Sequence, residues 1–352
     1  MKSDLLNFYK DKRILVTGHS GFKGAWLSRI LVNAGAKIYG VSLKADLNSI
    51  YSKTGNFGLV DDIILDIRNR ELLNNYLKGK KFDGVFHLAA QPLVRESYLH
   101  PVETFETNVM GTVHLLDSLL NNKCTPWVIA ITTDKVYHNY EKLTGYKEDE
   151  ALGGKDPYSA SKAGSEIAIT AWQNLSKIHD GYKLVSARAG NVIGGGDHAK
   201  DRLIPDLIRG FKSNQKTIIR NPKSLRPWQH VIDPLAGYLT LGKAIENQKV
   251  SDCYNFGPSE GSKLNVEKMA EIACANWPNN QGFEIDINSN DPPESNLLWL
   301  DSSRALAELD WATKLNAEEA IKWTIEWEQN ATKNGILNAL DDQITKYFGA
   351  SK

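Results

Sequence analysis

Residues 13–24, RILVTGHSGFKG, constrain this chain more than any other stretch. Ile14, Leu15 and Val16 form an apolar, β-branch-rich run of the kind found in buried parallel strands. Thr17 and Gly18 end it, glycines recur at Gly21 and Gly24, and 22–32 reads as a helix. A glycine turn between a strand and a helix N-terminus brings backbone N–H groups up to a ligand. The helix dipole adds about half a positive charge there. This combination suits a pyrophosphate: the glycines open the turn, admit the phosphates and let the helix pack on the strand. A dinucleotide site is expected at Gly18, Gly21 and Gly24, with the backbones of His19, Phe22 and Lys23 contributing.

The rest of the chain fits such a site. In a dinucleotide fold, an acid near the end of the second strand holds the adenosine ribose. Here 37–43 runs into Lys44, and the first acid is Asp46. NAD and NADP therefore both stay open, with Lys44 either facing a 2′-phosphate or solvated. A third strand at 63–65 leads to Asp66, which either reaches an adenine amino group or caps the next helix. A fourth at 84–88 ends in Ala89-Ala90, small enough for a flat ring to lie against the backbone. Pro101 starts a helix whose stripe of Val102, Phe105, Val109, Val113, Leu116 and Leu120 is core or a subunit interface. Strands at 127–131 and 184–187 flank a helix at 158–172. Alternating strands and helices give an α/β class and a doubly wound parallel (Rossmann) sheet, with ligands beyond the carboxyl ends of its strands. Past Arg188 the pattern breaks into glycine loops, turns such as 291–293, a short strand at 253–256, and a closing helix at 316–327 with Trp323 and Trp327 packed. The expected division is a nucleotide-binding domain at 1–187, with a returning segment near 230–257, and a smaller C-terminal substrate-binding lobe from 188–229 and 258–352.

With 352 residues, two lobes are reasonable. Lys+Arg and Asp+Glu both number 42, so no basic field points to nucleic acid. Three scattered cysteines suit neither a disulfide framework nor a metal site. The N-terminal dozen residues lack a signal-peptide apolar core, and no apolar run approaches the ~18 residues of a membrane span. A soluble cytoplasmic protein is expected.

Tyr158 and Lys162 are four apart, hence on one helix face. A tyrosine with a pKa of about 10 is no base at neutral pH. A lysine ammonium and a nicotinamide cation would both favour its phenolate. Bringing that pKa to about 7 takes about 4 kcal/mol, within reach of two cations in a dry pocket. The phenolate then removes a hydroxyl proton as hydride leaves the same carbon.

These residues carry a resemblance. Gly18-x-x-Gly21-x-x-Gly24, His87-Leu88-Ala89-Ala90, Tyr158-x-x-x-Lys162 and Arg188-Ala189-Gly190-Asn191 resemble the extended short-chain dehydrogenase/reductase superfamily, which includes sugar-nucleotide epimerases and dehydratases. GHSGFKGAWL, HLAAQPLVRESY, TTDKVY, PYSASK, RAGNVIGGGD, DRLIPD, RPWQHV and NFGP are more narrowly similar to its CDP-glucose 4,6-dehydratase branch. They run from 18 to 258, and ESNLLWLD at 294–301 extends the likeness.

The resemblance implies NAD as cofactor, NADP not being excluded, a CDP-hexose substrate, and a homodimer built on helices near 101–121 and 157–174. It also implies three stages. Tyr158 takes the C4 hydroxyl proton as hydride passes to the cofactor. A base then removes the acidified C5 proton while an acid protonates the departing C6 hydroxyl. Hydride finally returns to C6. Lys135 is the implied base, Asp134 the acid, Thr133 the partner of the C4 oxygen, and Lys162 a partner of Tyr158 and of the nicotinamide ribose. Such a lysine must be neutral, with a pKa of about 7–8, and such an aspartic acid protonated. Asp66, Ile67, Leu88, Ala89, Ala90 and Thr107 join the implied cofactor set. On the substrate side Gln91 lies by the hexose, Asn191 at the sugar–phosphate end and Arg226 on the diphosphate, where a guanidinium binds bidentately. Arg202, Leu203 and His230 fall in matching lobe motifs. A C4 epimerase or another sugar-nucleotide dehydratase is the neighbouring alternative, but an epimerase has no use for an acid–base pair after Thr133. An inactive nucleotide-binding scaffold is the alternative of another class, opposed by the intact Tyr158, Lys162 and Asp134.

Overall fold

In the computed structural model, which describes residues 4–55, 57–286 and 297–349, the apolar runs pair into one sheet. Its strands are β1 (Arg13–Thr17), β2 (Lys37–Ser42), β3 (Asp61–Ile64), β4 (Gly84–His87), β5 (Trp127–Ile131), β6 (Lys183–Ala189) and β7 (Cys253–Phe256). Every pairing is parallel, in the order β7-β6-β5-β4-β1-β2-β3. The order reverses between β1 and β4, and a crevice opens beyond their carboxyl ends, as expected at the switch point of a doubly wound sheet. Strands covered on both faces read as continuous apolar runs. Ile14, Leu15 and Val16 are accordingly without exposure, as are Trp127, Val128 and Ile129. β3 is an edge strand and leaves Ile64 exposed.

Seven helices matter below: α1 (Phe22–Ala34), α2 (Gly111–Asn122), α3 (Pro157–Ile178), α4 (Leu203–Ser213), α5 (Ile232–Asn247), α6 (Ala317–Asn334) and α7 (Ile336–Phe348). Gly35 ends α1 at φ 88°, a left-handed cap that glycine adopts freely. Asp156 starts α3 by accepting from Ser159 N, with Pro157 at the first helical position. The helix expected from Pro101 is one rod in three parts, Pro101–Phe105, a π turn at Glu106–Met110, and α2.

One face of the sheet is closed by α1 and α5, through Trp26, Ile30, Leu235 and Leu239, and the other by α2 and α3, through Leu115, Leu119 and Ile169. A third cluster, away from the sheet, joins Leu207 and Phe211 of α4 to Met269, Ala270, Ile321 and Ile325. β7 pairs with β6, so the segment at 253–256 returns to the sheet. α6 is amphipathic, with Trp327 buried and Trp323 packed beside the first cluster. α7, numbered with the lobe, instead sends Leu340, Ile344 and Phe348 into that sheet-side cluster, because its apolar face meets α1. The turn expected at 291–293 and the start of ESNLLWLD lie outside the described residues. The later part buries Leu298, Trp299 and Leu300.

Candidate active site

The glycine turn is built as the sequence demands, with a different reason at each position. Gly18 has φ 72°, and a Cβ on it would lie 2.6 Å from Ala89 N. One on Gly24 would lie 2.0 Å from Gly18 O. These two glycines let β1, the turn and the end of β4 pack together. A Cβ on Gly21 would meet only Gly18 O, at 3.4 Å. The space above Gly21 is open, at the N-terminus of α1, where amides have no helical partner. An open cradle at a helix N-terminus fits a dinucleotide pyrophosphate.

The supports of that turn are polar and buried. The His19 ring lies under Gly40, where a Cβ would come within 2.6 Å of it. Its Nε2 is 2.9 Å from Asp62 Oδ1, and Tyr51 donates to the other Asp62 oxygen. Burial lowers the His19 pKa, against the pull of Asp62. At the end of β2, Ser42 Oγ pairs with Ser20 Oγ at 2.8 Å, and no acid stands there. Lys44 is exposed, and Asp46 accepts from Asn48 N in its own turn. Asp66 is engaged by Arg68, which donates from its backbone at 2.9 Å and from Nε and Nη2 at 2.9 and 2.7 Å. The Ile67 side chain is core, packed where Gly111 leaves room, so only its backbone can face a ligand. Leu88, Ala89 and Ala90 line the crevice half-buried.

The reacting groups of the sequence reading gather at the end of β5. Thr133 caps the short turn Asp134–Val136 and donates to Asp134 Oδ1 at 2.8 Å. Asp134 is buried, which raises its pKa, while Lys135, Thr133 and Lys23 pull it back. Lys135 is half-buried, and its ammonium makes no hydrogen bond or ion pair among the described residues. Tyr158, in the first turn of α3, is pushed up to about 12 by burial. Thr133 and Arg202 oppose this and Asp134 adds to it. Lys162 is brought down to about 8 by burial, with Glu166 opposing, and donates to Ile131 O at 3.3 Å. A buried phenol, carboxyl and ammonium with displaced proton affinities in one crevice mark a candidate catalytic centre.

Two contributors lay outside the sequence reading. Lys23, assigned to the glycine turn for its backbone, sends its ammonium into the field of the same centre. Burial brings it to about 8, Arg202 and Lys162 repel it, and Asp134 attracts it. Asn108, buried in the π turn beside the half-buried Thr107, accepts from Gln91 N at 2.8 Å. It donates to Gln91 O at 3.1 Å and to Ser161 Oγ at 2.9 Å. It therefore ties the loop after β4 to the helix that carries Tyr158 and Lys162. No motif marked it, because a π turn has no spacing signature.

The substrate-side residues divide. Gly190 brings the end of β6 close, since a Cβ there would lie 3.1 Å from Asp134 Oδ2 and 3.3 Å from Pro227. Asn191 follows it, half-buried. Arg202 stands at the start of α4 beside the half-buried Leu203, donates to Asp197 at 2.9 Å, and acts on both Tyr158 and Lys23. Arg226 is half-buried on the strand Leu225–Pro227. Two of the expected residues are engaged within the protein. His230 has no exposure and sits edge-on between Trp26 and Trp323, 5.8 and 5.7 Å centre to centre. Burial brings it to about 3, so it is a neutral core residue. Gln91 donates to Leu93 O at 3.1 Å and to Thr104 Oγ1 at 2.9 Å, and accepts from Leu93 N. Its amide holds the loop after β4.

Comparison with known proteins shows the family. The family model described as GDP-mannose 4,6 dehydratase matches residues 15–324. The chain belongs to that family. Within the family, the chain is 43% identical to CDP-glucose 4,6-dehydratase of Salmonella typhimurium over 98% of both chains. It is 28% identical to dTDP-glucose 4,6-dehydratase of Haemophilus influenzae, over 89% of this chain and 97% of that one. Among solved structures, dTDP-glucose 4,6-dehydratase of Bacillus anthracis in complex with NAD superposes with a TM-score of 0.76 at 21% identity, over 94% of this chain and 99% of that one. An epimerase from Methanothermobacter thermautotrophicus gives 0.79 at 23%, over 95% and 96%. At these identities the two structures bear on the fold, which is the same doubly wound sheet.

Proposed function

We propose that the chain is an NAD-dependent hydro-lyase that converts CDP-glucose to CDP-4-keto-6-deoxyglucose. The observation that carries this reading is the Thr133-Asp134-Lys135 turn standing in the same crevice as Tyr158 and Lys162. Oxidation at C4 alone needs only the tyrosine and the lysine. A buried carboxyl beside a second lysine is what removal of water from C5 and C6 requires.

The N-terminal turn of α1 over Gly21 and the Leu88–Ala90 segment would hold NAD, which would supply the hydride chemistry at C4 and C6. Tyr158 accepts the C4 hydroxyl proton. Its burial opposes ionisation, and the Thr133 hydroxyl with the Arg202 cation opposes that burial. Lys135 takes the C5 proton. Asp134, whose burial favours the protonated carboxyl, gives its proton to the C6 hydroxyl as water leaves. Arg226 and Asn191 hold the diphosphate and the sugar beside it, and Arg202 faces the hexose. Residues 188–229 and 258–352 form most of the substrate lobe.

We read the molecule as a cytoplasmic homodimer. Val102, Phe105 and Met110 on the helical rod from Pro101, and Ile167 on α3, are exposed apolar side chains that a second copy would cover. Its three cysteines are free thiols, as suits a reducing compartment. Among the described residues no helix is long and apolar enough to cross a membrane.

The test is incubation with CDP-glucose and NAD, followed by NMR of the sugar. A 4-keto-6-deoxy product is expected. A 4-epimer, or binding without turnover, would overturn the reading.

A further inference from the structure

Beneath the crevice lies a charge that the proposed chemistry does not use. Glu166 is one helical turn past Lys162 on the same side of α3, and is 2% exposed. Its carboxylate is engaged from two other elements. Thr132, just after β5, donates to Oε1. Ser186 and Arg188 of β6 donate to Oε2, at 2.9 and 2.7 Å. Arg188 is buried too, and its Nη1 reaches Tyr137 OH at 2.8 Å and Glu148 O at 3.1 Å. A buried ion pair is weak evidence of stabilisation, because apolar groups of similar size often do as well. What it does provide is a negative charge in one place and one orientation.

That place bears on Lys162. The carbonyl that accepts from the Lys162 ammonium belongs to Ile131, next to Thr132 in sequence. The charged and titratable groups around this lysine come from several elements. Lys23 of α1 repels it. His87 of β4, pinned between Thr17 and Thr112, is brought to about 3 by burial and stays neutral. Tyr158 precedes it on α3. Glu166 is the attraction that opposes its burial. The Glu166 carboxyl stays ionised although burial works against that, because Arg188, Thr132 and Ser186 outweigh it.

We propose that Glu166 is a positioning residue: the carboxylate locked by Thr132, Ser186 and Arg188 is the fixed countercharge that keeps the Lys162 ammonium charged and turned to the end of β5. The inference rests on the reading above of Lys162 as the partner of Tyr158.

The test uses Glu166→Gln beside the double variant Glu166→Gln/Arg188→Met, which removes both buried charges so that no lone ion remains. Two readouts are taken: NMR titration of the Lys162 side chain in the ligand-free protein, and the pH profile of CDP-glucose turnover with kcat and KM separated. In the single variant Lys162 should titrate about one pH unit lower, roughly a tenfold change in its proton affinity. The double variant should move the same way by less. The alkaline limb of kcat should follow, with KM within about twofold. An unmoved Lys162 midpoint in a folded variant overturns the proposal. So does loss of the fold in both variants, which would leave the pair a role in folding alone. Absence of CDP-glucose turnover in the unaltered chain would sink the functional reading, and the NMR titration would still decide on Glu166.

Discussion

The crevice at the strand ends and the belt of buried charges beneath it treat polar groups in opposite ways. In the belt, buried charges meet partners inside the protein. Glu166 meets Arg188 at 2.7 Å, and Arg188 also donates to Tyr137 OH at 2.8 Å and to Glu148 O at 3.1 Å. In the crevice, Lys23, Lys135 and Lys162 have no ion pair among the described residues; Lys162 donates to a carbonyl and feels Glu166 from one helical turn away. Burial there outweighs the charges that oppose it, bringing Lys23 and Lys162 to about 8 and raising Asp134. Satisfied groups hold a shape, whereas groups left short of partners are primed to exchange protons with a ligand.

The contrast can be broken by mutation, starting where the effect is largest. Tyr158→Phe should reduce CDP-glucose turnover by about 10³-fold or more, with the melting temperature unmoved. Wild-type turnover in that variant would remove Tyr158 from the chemistry. The glycine turn holds both characters within a few residues. Gly24→Ala, which sets a Cβ against Gly18 O at 2.0 Å, should destabilise the fold by roughly 2–4 kcal/mol in urea unfolding. Gly21→Ala should change stability by less than about 1 kcal/mol. By calorimetry it should weaken NAD binding about tenfold, because its Cβ fills the cradle. Equal effects of the two substitutions on stability would contradict the assignment of one glycine to packing and the other to the ligand.

The belt histidines give a pH test. His87 and His230 are both brought to about 3 in the fold, against about 6.5 in the unfolded chain. Below about 6.5 the unfolded chain binds the extra protons. Stability from these groups is thus full above that pH and is lost as pH falls toward 3, by up to about 1.4 kcal/mol per pH unit for each histidine. Urea unfolding between neutral and mildly acidic pH should show this slope, and His230→Phe should remove one histidine's share. An unchanged slope would mean that His230 is charged in the fold. The smallest expected effect is that of Lys23→Met. Loss of a nearby cation should raise the Asp134 titration by less than about one pH unit, read by carboxyl NMR. A fall instead would show that Lys23 does not act on Asp134.

Most of the scaffold was legible in the amino-acid order, since strands and helices follow from local spacing. β1 and the turn after it came from three apolar residues and three glycines. The pair Tyr158 and Lys162 came from a four-residue interval, whereas Thr133-Asp134-Lys135 came only from the family resemblance. Side-chain direction was less legible. His230 and Gln91 belong to motifs that border the crevice, but one turns into the tryptophans and the other into its own loop. Glu166, in a helix, reads as an ordinary surface acid until β6 brings Arg188 beneath it.

By itself the sequence determined the α/β class, the glycine cradle and the residue types available for acid–base work, because each depends on neighbours within a turn or a strand. Only the tertiary structure decided which groups share a site, which are taken up by the protein and which way each proton affinity moves. Those properties depend on desolvation and on charges tens to hundreds of residues away, and both exist only once the chain has packed.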